Sequence, residues 1–274
     1  MNFQVFKPSE ELATWIECYW FLSFPSDYIS REELMIPGGR VELMFNIGTH
    51  VNFTSSSGKS FELKNDMYIL GQRNTFFKAQ HNPGYHMWGV RFKPACFYPF
   101  CNGSTSFLLN TVAEAADIFK PLDTNAWYNR FLTLKDDAAR IQLLECFLKD
   151  ILYKNGHHNN QFYTLLSQLK INAEETAIAG FCNNNNLYYK KLERQFLQYA
   201  GYTPKEFLSV RRFYRSVEMI YQTNNNLTNI CHQLGYYDQS HFIKDFKNYA
   251  SLPPLKFVKG RFDLPKFLTA FPSV

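Results

Sequence analysis

A twelve-residue segment occurs twice in the C-terminal half of the chain, and its second copy begins fifty residues after the first. Residues 196–207 and 246–257 share Phe, Tyr, Ala, Pro and a final Phe in register. An apolar residue and a basic residue also recur just upstream, as Leu192 with Arg194 and Phe242 with Lys244. Proline at the first position of a helix loses no helical hydrogen bond, so each copy is typical of a helix, a turn and the start of another helix. This half of the chain is therefore expected to form two similar helical units.

Apolar residues recur at helical spacing through the rest of this half. The predicted helices cover residues 162–170, 174–181, 188–199, 204–222, 227–234, 239–249 and 254–259. Cys182 and Cys231 fall where the two helices of each unit must cross closely, and we interpret them as small packing residues. Gly235 can adopt the positive φ of a tight turn between helices. The 204–222 helix would be about 28 Å long, close to the ~34 Å pitch of B-DNA, so the two units can enter successive segments of the major groove.

The first 95 residues favour strands. Short segments rich in aromatic and β-branched residues, separated by turn residues, predict strands at 15–24, 41–47, 67–70 and 85–92. Helical spacing follows at 112–119, 126–134 and 138–153, and Asp136 or Asp137 is expected to cap the last of these helices. The polar stretch 155–160 then interrupts the pattern. The sequence predicts an α+β chain of two domains: a domain at 1–156 whose strands form a β-barrel or a β-sandwich and which includes a helical linker at 105–154, and an all-α domain at 157–274.

Charge is distributed unevenly between these two parts. Residues 1–160 carry a net charge of −1 and residues 161–274 carry +6, which makes the total of +5. A basic C-terminal domain favours a polyanionic partner.

None of the six cysteines forms a Cys-x-x-Cys pair, so we interpret them as buried thiols of a reducing compartment. The N-terminus lacks a signal-peptide pattern and no apolar run approaches the ~20 residues of a membrane helix, so a cytoplasmic location without a membrane partner is expected.

Residues 160–259 resemble the DNA-binding domain of the AraC/XylS family of transcription regulators. The second unit is similar to the family's Gly-Phe-x-Asp-x-Ser-x-Phe-x-Arg-x-Phe-Lys signature through Gly235, Tyr236, Asp238, Ser240, Phe242, Lys244, Phe246 and Lys247. The first unit matches the simpler repeat of the family through Leu192, Arg194, Phe196, Gly201 and Pro204. Within the signature Tyr236 replaces Phe and Lys244 replaces Arg, and two further positions depart from the family pattern. Tyr188 stands where a capping serine is usual, so the run Asn183–Asn186 is the expected replacement cap, and Ser251 stands where the second repeat usually has glycine.

The resemblance implies which residues contact DNA, because the exposed sides of the two recognition helices read bases in this family. The implied positions are Tyr189, Lys190, Glu193 and Arg194 in the first unit and Gln239, Ser240, Ile243 and Lys244 in the second. Arginine and lysine donate to guanine, glutamine pairs with adenine, and glutamate accepts from cytosine. Lys191 and His241 are expected to fix the register on phosphates. Three arginines of the connecting helix suit either phosphate contact or solvation: Arg211, Arg212 and Arg215.

The N-terminal half resembles the cupin-like sensor domains of the same family through residues 37–46 and 89–94. This resemblance implies a β-barrel that holds a small-molecule effector or mediates homodimerisation. Candidate ligand-binding residues are Arg40, Glu42, Trp88 and Arg91, with core packing and ion pairs at the barrel edge as the alternative. The family implies double-stranded DNA as a partner and RNA polymerase as a further candidate. Activation and repression are both open at this point, as is the identity of the effector.

Two enzymatic functions are the alternatives. A cupin-type metal-dependent enzyme with a helical appendage would need a His-x-His cluster, and His50, His81 and His86 lack that spacing, so no metal site is expected. A DNA-repair methyltransferase would need a zinc-held cysteine near the N-terminus, where Cys18 stands alone. The chain contains no Gly-x-Ser-x-Gly elbow and no phosphate-binding glycine loop of the Walker or dinucleotide kind. The sequence therefore predicts a DNA-binding transcription regulator that uses no cofactor and is not an enzyme.

Overall fold

The computed structural model describes residues 1–155, 160–169, 175–222, 227–260 and 262. The strands are β1 Asn2–Phe6, β2 Ile16–Ser23, β3 Arg31–Met35, β4 Glu42–Asn46, β5 Val51–Ser55, β6 Ser60–Leu63, β7 Met67–Leu70, β8 Phe77–His81, β9 His86–Phe92 and β10 Val112–Glu114. The helices are α1 Ala115–Ile118, α2 Thr124–Thr133, α3 Asp137–Asn155, α4 Asn160–Gln168, α5 Glu175–Asn184, α6 Tyr189–Tyr199, α7 Pro204–Gln222, α8 Leu227–Gln233, α9 Gln239–Ala250 and α10 Pro254–Lys259. The predicted α+β architecture, with strands first and a helical C-terminal part, is confirmed. The predicted domain boundary, between residues 156 and 157, falls outside the described residues.

Two antiparallel sheets form the N-terminal part. The larger sheet has the order β1-β2-β9-β4-β7-β10 and the smaller has the order β3-β8-β5-β6. Apolar side chains from both sheets share one core, which includes Leu22, Met44, Phe53 and Phe77. The two sheets therefore pack face to face. Among the described strands the outermost strand at each edge of the two sheets has a partner on one side only, so the sheets form the predicted sandwich alternative and do not close into the barrel that the family resemblance implied.

The helices after β10 cover the outer face of the larger sheet. Phe131 of α2 and Phe147 of α3 belong to the same core as Phe45 and Trp88 of the sheet. Strand β4 is buried along its whole length because both of its faces are covered. Segment 105–154, which the sequence analysis described as a linker, is therefore also part of the N-terminal core. Asp136 caps α3 as expected, since its Oδ2 accepts from the amide of Ala139 at 2.9 Å.

Some boundaries differ from the prediction. Residues 112–114 form β10 at the edge of the larger sheet, so the predicted helix 112–119 is reduced to α1. The sequence pattern did not predict five of the strands, because they are short and several of them carry charged residues. These strands are β1, β3, β5, β6 and β8. Both sheets thus contain strands whose sequences are too polar to stand out.

Each helical unit of the C-terminal part has its own core, and each core includes residues of the N-terminal part. Leu34 and Ile36 pack with α7, α8, α9 and α10. Ala95 packs with α4, α5, α6 and α7. The helical units are consequently docked against the sheets.

Candidate nucleic-acid interface

The repeat forms the two helices α6 and α9, and each of them buries one apolar face. Leu192 and Phe196 are buried in the first, and Phe242 and Phe246 take the matching places in the second. This spacing of four residues puts each pair on one side of its helix. The opposite sides of both helices are left toward solvent.

Most residues expected to contact DNA are on those open sides. Eight are exposed: Tyr189, Lys190, Lys191, Arg194, Gln239, Ser240, His241 and Lys244. Glu193 and Ile243 are half-buried because they lie where the helix surface turns toward its core. Arg194 and Lys244 have matching positions in the two copies, so each helix presents a cation at the same place. That arrangement suits contact with a nucleic acid at two places.

The turns that precede these helices are built differently. Gly235 has φ +69° in the second turn, as predicted. Asp238 caps α9, since its Oδ1 accepts from the amide of His241 at 2.7 Å. The prediction that the asparagine run caps α6 is wrong. The N-cap residue is Tyr188, which makes no capping hydrogen bond, and the amide of Asn185 donates to the carbonyl of Phe181.

A groove separates α6 from the N-terminal part. Its volume is about 580 Å³, and it is lined by Gly103 and Ser104 on one side and by Lys190, Glu193 and Arg194 on the other. The Oγ of Ser104 donates to the carbonyl of Leu197 at 3.1 Å and the Oγ1 of Thr105 donates to that of Gln198 at 3.1 Å. The end of the first recognition helix is thereby fixed to the N-terminal part beside its exposed face.

The arginines of α7 are not all placed as the sequence suggested. Arg211 is buried, and its Nη1 donates to the carbonyl of Gly38 at 3.1 Å. Burial, followed by repulsion from Arg40, lowers the pKa of Arg211 to about 10. Arg211 therefore stabilises the docking of α7, and the expectation of phosphate contact or solvation was wrong for it.

The other two arginines stay nearer the surface. The guanidinium of Arg212 lies 4.4 Å from the ring centre of Tyr236 and 3.7 Å from the carboxylate of Asp245, so it braces α9 against α7. The hydroxyl of Tyr236 donates to the same carboxylate at 3.0 Å. Arg215 is exposed and pairs with Glu218 at 3.0 Å. Arg215 thus keeps the surface position that the sequence analysis expected.

The four candidate ligand residues do not share one pocket. Arg40 donates to Glu17 at 3.0 Å and stacks 4.2 Å from the ring centre of Tyr214, at the contact with α7. Glu42 and Arg91 pair at 2.8 Å between the sheets. Trp88 lies on the other face of the larger sheet, in the core that α2 and α3 cover. Trp88 and Arg91 are three residues apart on β9, so strand alternation places them on opposite faces of the larger sheet.

The remaining sequence expectations concern metals, thiols and membranes. Within the described residues no group of His, Cys, Asp and Glu has a geometry that could hold a metal ion. Five cysteines are buried, Cys182 and Cys231 among them, whereas Cys146 is exposed. No helix in the described ranges is long and apolar enough to cross a membrane.

Comparisons with known proteins agree with this arrangement. Residues 181–260 match the model of a helix-turn-helix domain, and residues 4–114 match a domain of unknown function (DUF6597). The transcriptional activator RhaS of Pectobacterium atrosepticum is 30% identical over 36% of this chain and 36% of its own length. The transcriptional regulator YidL of Escherichia coli is 32% identical over 48% of this chain and 50% of its own length. The chain thus spans a third to a half of the curated relatives that it matches.

The fold has a counterpart among solved structures. ToxT from Vibrio cholerae superimposes with a TM-score of 0.50 at 10% identity, over 94% of this chain and 98% of that one. These findings define a sheet-rich domain joined to a double helix-turn-helix domain. Residues 181–260 thus match a helix-turn-helix domain, and relatives matched over a third to a half of their length are named as HTH-type transcription regulators.

Proposed function

We propose that this protein is a sequence-specific DNA-binding transcription regulator of the AraC type. The observation that carries the proposal is the pair of recognition helices α6 and α9, each with a buried apolar face and an exposed basic side. The connecting helix α7 has 19 residues, which is a length of about 28 Å. That length matches the distance between successive major-groove segments on one side of a duplex.

The residues on the open sides of the two helices divide into two roles. Arg194 and Lys244 donate to guanine, Gln239 pairs with adenine, and Glu193 accepts from cytosine, because these groups match the base edges in the major groove. Tyr189, Lys190 and Ser240 also face the bases, whereas Lys191 and His241 contact phosphates and set the register. Ile243 is half-buried and offers an apolar contact to a thymine methyl group.

Effector control forms a further part of the proposal. A cavity of about 720 Å³ lies between the two parts of the molecule, lined by Glu17, Cys18 and Lys93 on one side and Phe207 and Arg211 on the other. This volume is within the usual range for small-molecule sites. A ligand there touches α7 directly, so the N-terminal part would act as a cupin-like sensor for the DNA-binding domain.

The proposed role as a transcription regulator also implies protein partners and a location. Several relatives bear the name transcriptional activator, which supports activation of transcription through RNA polymerase rather than catalysis by this chain. We also propose a homodimer and a cytoplasmic location.

The test is binding of the full chain to duplex DNA. Duplexes selected from a randomised library are expected to contain two short conserved elements about one helical turn apart. Their affinity should fall steeply with salt concentration, because the basic residues displace counterions from phosphates. Affinity that is indifferent to both sequence and salt would refute the proposal.

Variants locate the interface. Arg194→Ala and Lys244→Ala are each expected to weaken binding to the selected duplex by about 1–3 kcal/mol and to relax the preference at one position. Arg130→Ala, which changes an exposed arginine on α2, is the matched control and should leave affinity unchanged. Equal effects of all three variants would show that only general charge matters.

A further inference from the structure

The groove beside α6 has one wall from the first recognition helix and one from the N-terminal part. Lys190, Glu193 and Arg194 form the helical wall, and their spacing puts them on one stripe of α6. Gly103 and Ser104 form the opposite wall. They belong to residues 101–104, which we call the groove loop. A duplex that contacts the stripe on α6 enters this groove and comes close to the loop.

The groove loop is attached to the last turn of α6 on both of its sides. On one side, Nε2 of Gln198 donates to the hydroxyl of Tyr98 at 3.2 Å, and the rings of Tyr98 and Tyr199 meet edge to face at 4.4 Å. On the other side, Ser104 and Thr105 donate to carbonyls of α6 at 3.1 Å. The loop is therefore presented to DNA together with the helix.

The chemistry of the groove suits a phosphodiester backbone. Lys190 and Arg194 are exposed cations on one wall, whereas Glu193 is half-buried. Residues 98–107 contain no acidic side chain that would repel a phosphate from the other wall. Gly103 has φ +118°, and a Cβ on it would meet no atom within 4 Å. Glycine allows a backbone to approach a ligand closely, so the main chain of the loop is accessible from the groove.

We propose that the sugar-phosphate backbone of one DNA strand lies in this groove, between Arg194 and the groove loop. The proposal rests on the proposed function and extends the DNA-binding surface to the N-terminal part. Main-chain and hydroxyl groups of the loop contact the backbone of the strand, which fixes the register of α6 without reading sequence. The first recognition helix is consequently positioned on DNA by both parts of the chain.

Charge placed on the groove loop tests this arrangement in the full chain. Gly103→Lys should raise the affinity for the selected duplex about two- to fivefold at low salt, and Gly103→Glu should lower it by a similar factor. The lysine should also steepen the plot of log affinity against log salt concentration by about 0.9, the value for one added phosphate contact. Gly84 is the matched control position, because it has φ +73° and lies in the turn before β9, outside the groove. Gly84→Lys and Gly84→Glu should leave both quantities unchanged.

A tethered cleavage reagent measures the proximity of the loop to DNA directly. Gly103→Cys that carries iron–EDTA should cut the selected duplex beside the element read by α6, whereas Gly84→Cys should not cut there. Both are made together with Cys146→Ser, because Cys146 is exposed and would also be labelled. If the Gly103 variants do not fold, Ser106→Lys and Ser106→Glu take their place, since Ser106 is exposed and its Oγ lies 2.8 Å from that of Ser104.

Two results would overturn the proposal. They are charge variants of the loop that match those of Gly84 in affinity and salt dependence, and a tethered reagent at residue 103 that leaves the duplex intact. Arg194→Ala tests the proposed function separately. Weaker binding in that variant, combined with no effect of charge on the loop, would refute the DNA contact of the loop alone. Absence of sequence-specific binding by the unmodified chain would refute both proposals.

Discussion

Gly201 and Ser251 occupy the same place in the two repeats and differ in what surrounds them. Their φ values are +72° and +64°, so both backbones are left-handed. A Cβ on Gly201 would overlap Nε2 of Gln72, whose amide donates to the carbonyl of Thr105 at 2.7 Å. Ser251 is exposed and tolerates a side chain. Glycine is thus required in the first repeat by the close approach of the N-terminal part.

Gly201→Ala should therefore cost more free energy of unfolding than a positive φ alone explains. We expect about 2–4 kcal/mol, the sum of the left-handed backbone and an overpacked contact. The matched control is Gly58→Ala, because Gly58 has φ +84° with open space around it. That variant should cost about 1 kcal/mol. Urea unfolding measures both, and equal losses would mean that the contact with Gln72 has no energetic weight.

The buried imidazole of His81 predicts a pH dependence of stability. Burial, with a smaller contribution from Arg31, lowers the pKa of His81 from its ordinary value of 6.5 to about 3. The folded state keeps this group neutral, whereas the unfolded chain takes up a proton below pH 6.5. Stability contributed by this residue is therefore present above pH 6.5 and is lost as the pH falls, by about 1.5 kcal/mol between pH 6.5 and pH 5.

Urea unfolding at several pH values measures this effect. His81→Phe should flatten the dependence of the unfolding free energy on pH below 6.5. His50→Gln changes an exposed histidine and should leave the slope as it is in the unmodified protein. An unchanged slope in His81→Phe would contradict the assignment.

At the level of elements, the two recognition helices differ at their first turns. Asp238 caps α9, whereas the equivalent Tyr188 of α6 makes no cap and is 85% exposed. Asp238→Ala should destabilise the chain by about 1 kcal/mol. Tyr188→Ser should stabilise it by roughly 0.5–1 kcal/mol, because it adds a cap and removes no buried contact. Urea unfolding tests both changes, and a Tyr188→Ser variant that is less stable would show that this tyrosine has a packing role.

The sequence predicted the elements that carry a strong periodic signal. Helices α6 and α9 were located within one residue at each end because one side of each is apolar and the other is polar. Strands β2, β4, β7 and β9 were found because their apolar runs are nearly continuous. Strand β3 has the sequence Arg-Glu-Glu-Leu-Met, and its register depends on pairing with β8. Pairing between distant segments leaves no local signal in one sequence.

The candidate site shows the same limit. The exposed basic positions follow from the repeat, since helical spacing fixes which side chains share a face. The role of Arg211 could not be foreseen, because it depends on the carbonyl of Gly38 in the other part of the chain. The hydrogen bond from the hydroxyl of Tyr202 to the carbonyl of Arg73 could not be predicted for the same reason. Contacts between domains are set by tertiary packing rather than by local pattern.

At the scale of the whole molecule, the docking of α7 rests on a buried ion pair. Arg40 donates to Glu17 at 3.0 Å and lies over Tyr214 of α7, and Arg211 donates to Gly38 nearby. Burial alone would raise the pKa of Glu17, but the charge and hydrogen bond of Arg40 outweigh it and hold this pKa below its usual range. The carboxylate is thus ionised and paired at the contact between the two parts. Both helical cores also include residues of the N-terminal part.

These contacts predict that the two parts unfold together. Urea transitions followed by helical circular dichroism and by tryptophan fluorescence should therefore coincide. The two probes report on different parts, because all four tryptophans precede residue 157 whereas most helices follow it.

Glu17→Gln leaves Arg40 buried beside a neutral partner and should cost about 3 kcal/mol. Its two transitions should then separate, with the helical signal lost first. Glu17→Leu combined with Arg40→Met removes both charges and should recover most of that loss, since a buried pair replaced by apolar groups is often neutral. If Glu17→Gln lowers stability while the transitions still coincide, the pair stabilises the N-terminal part alone and the docking depends on the apolar contacts around Ile36.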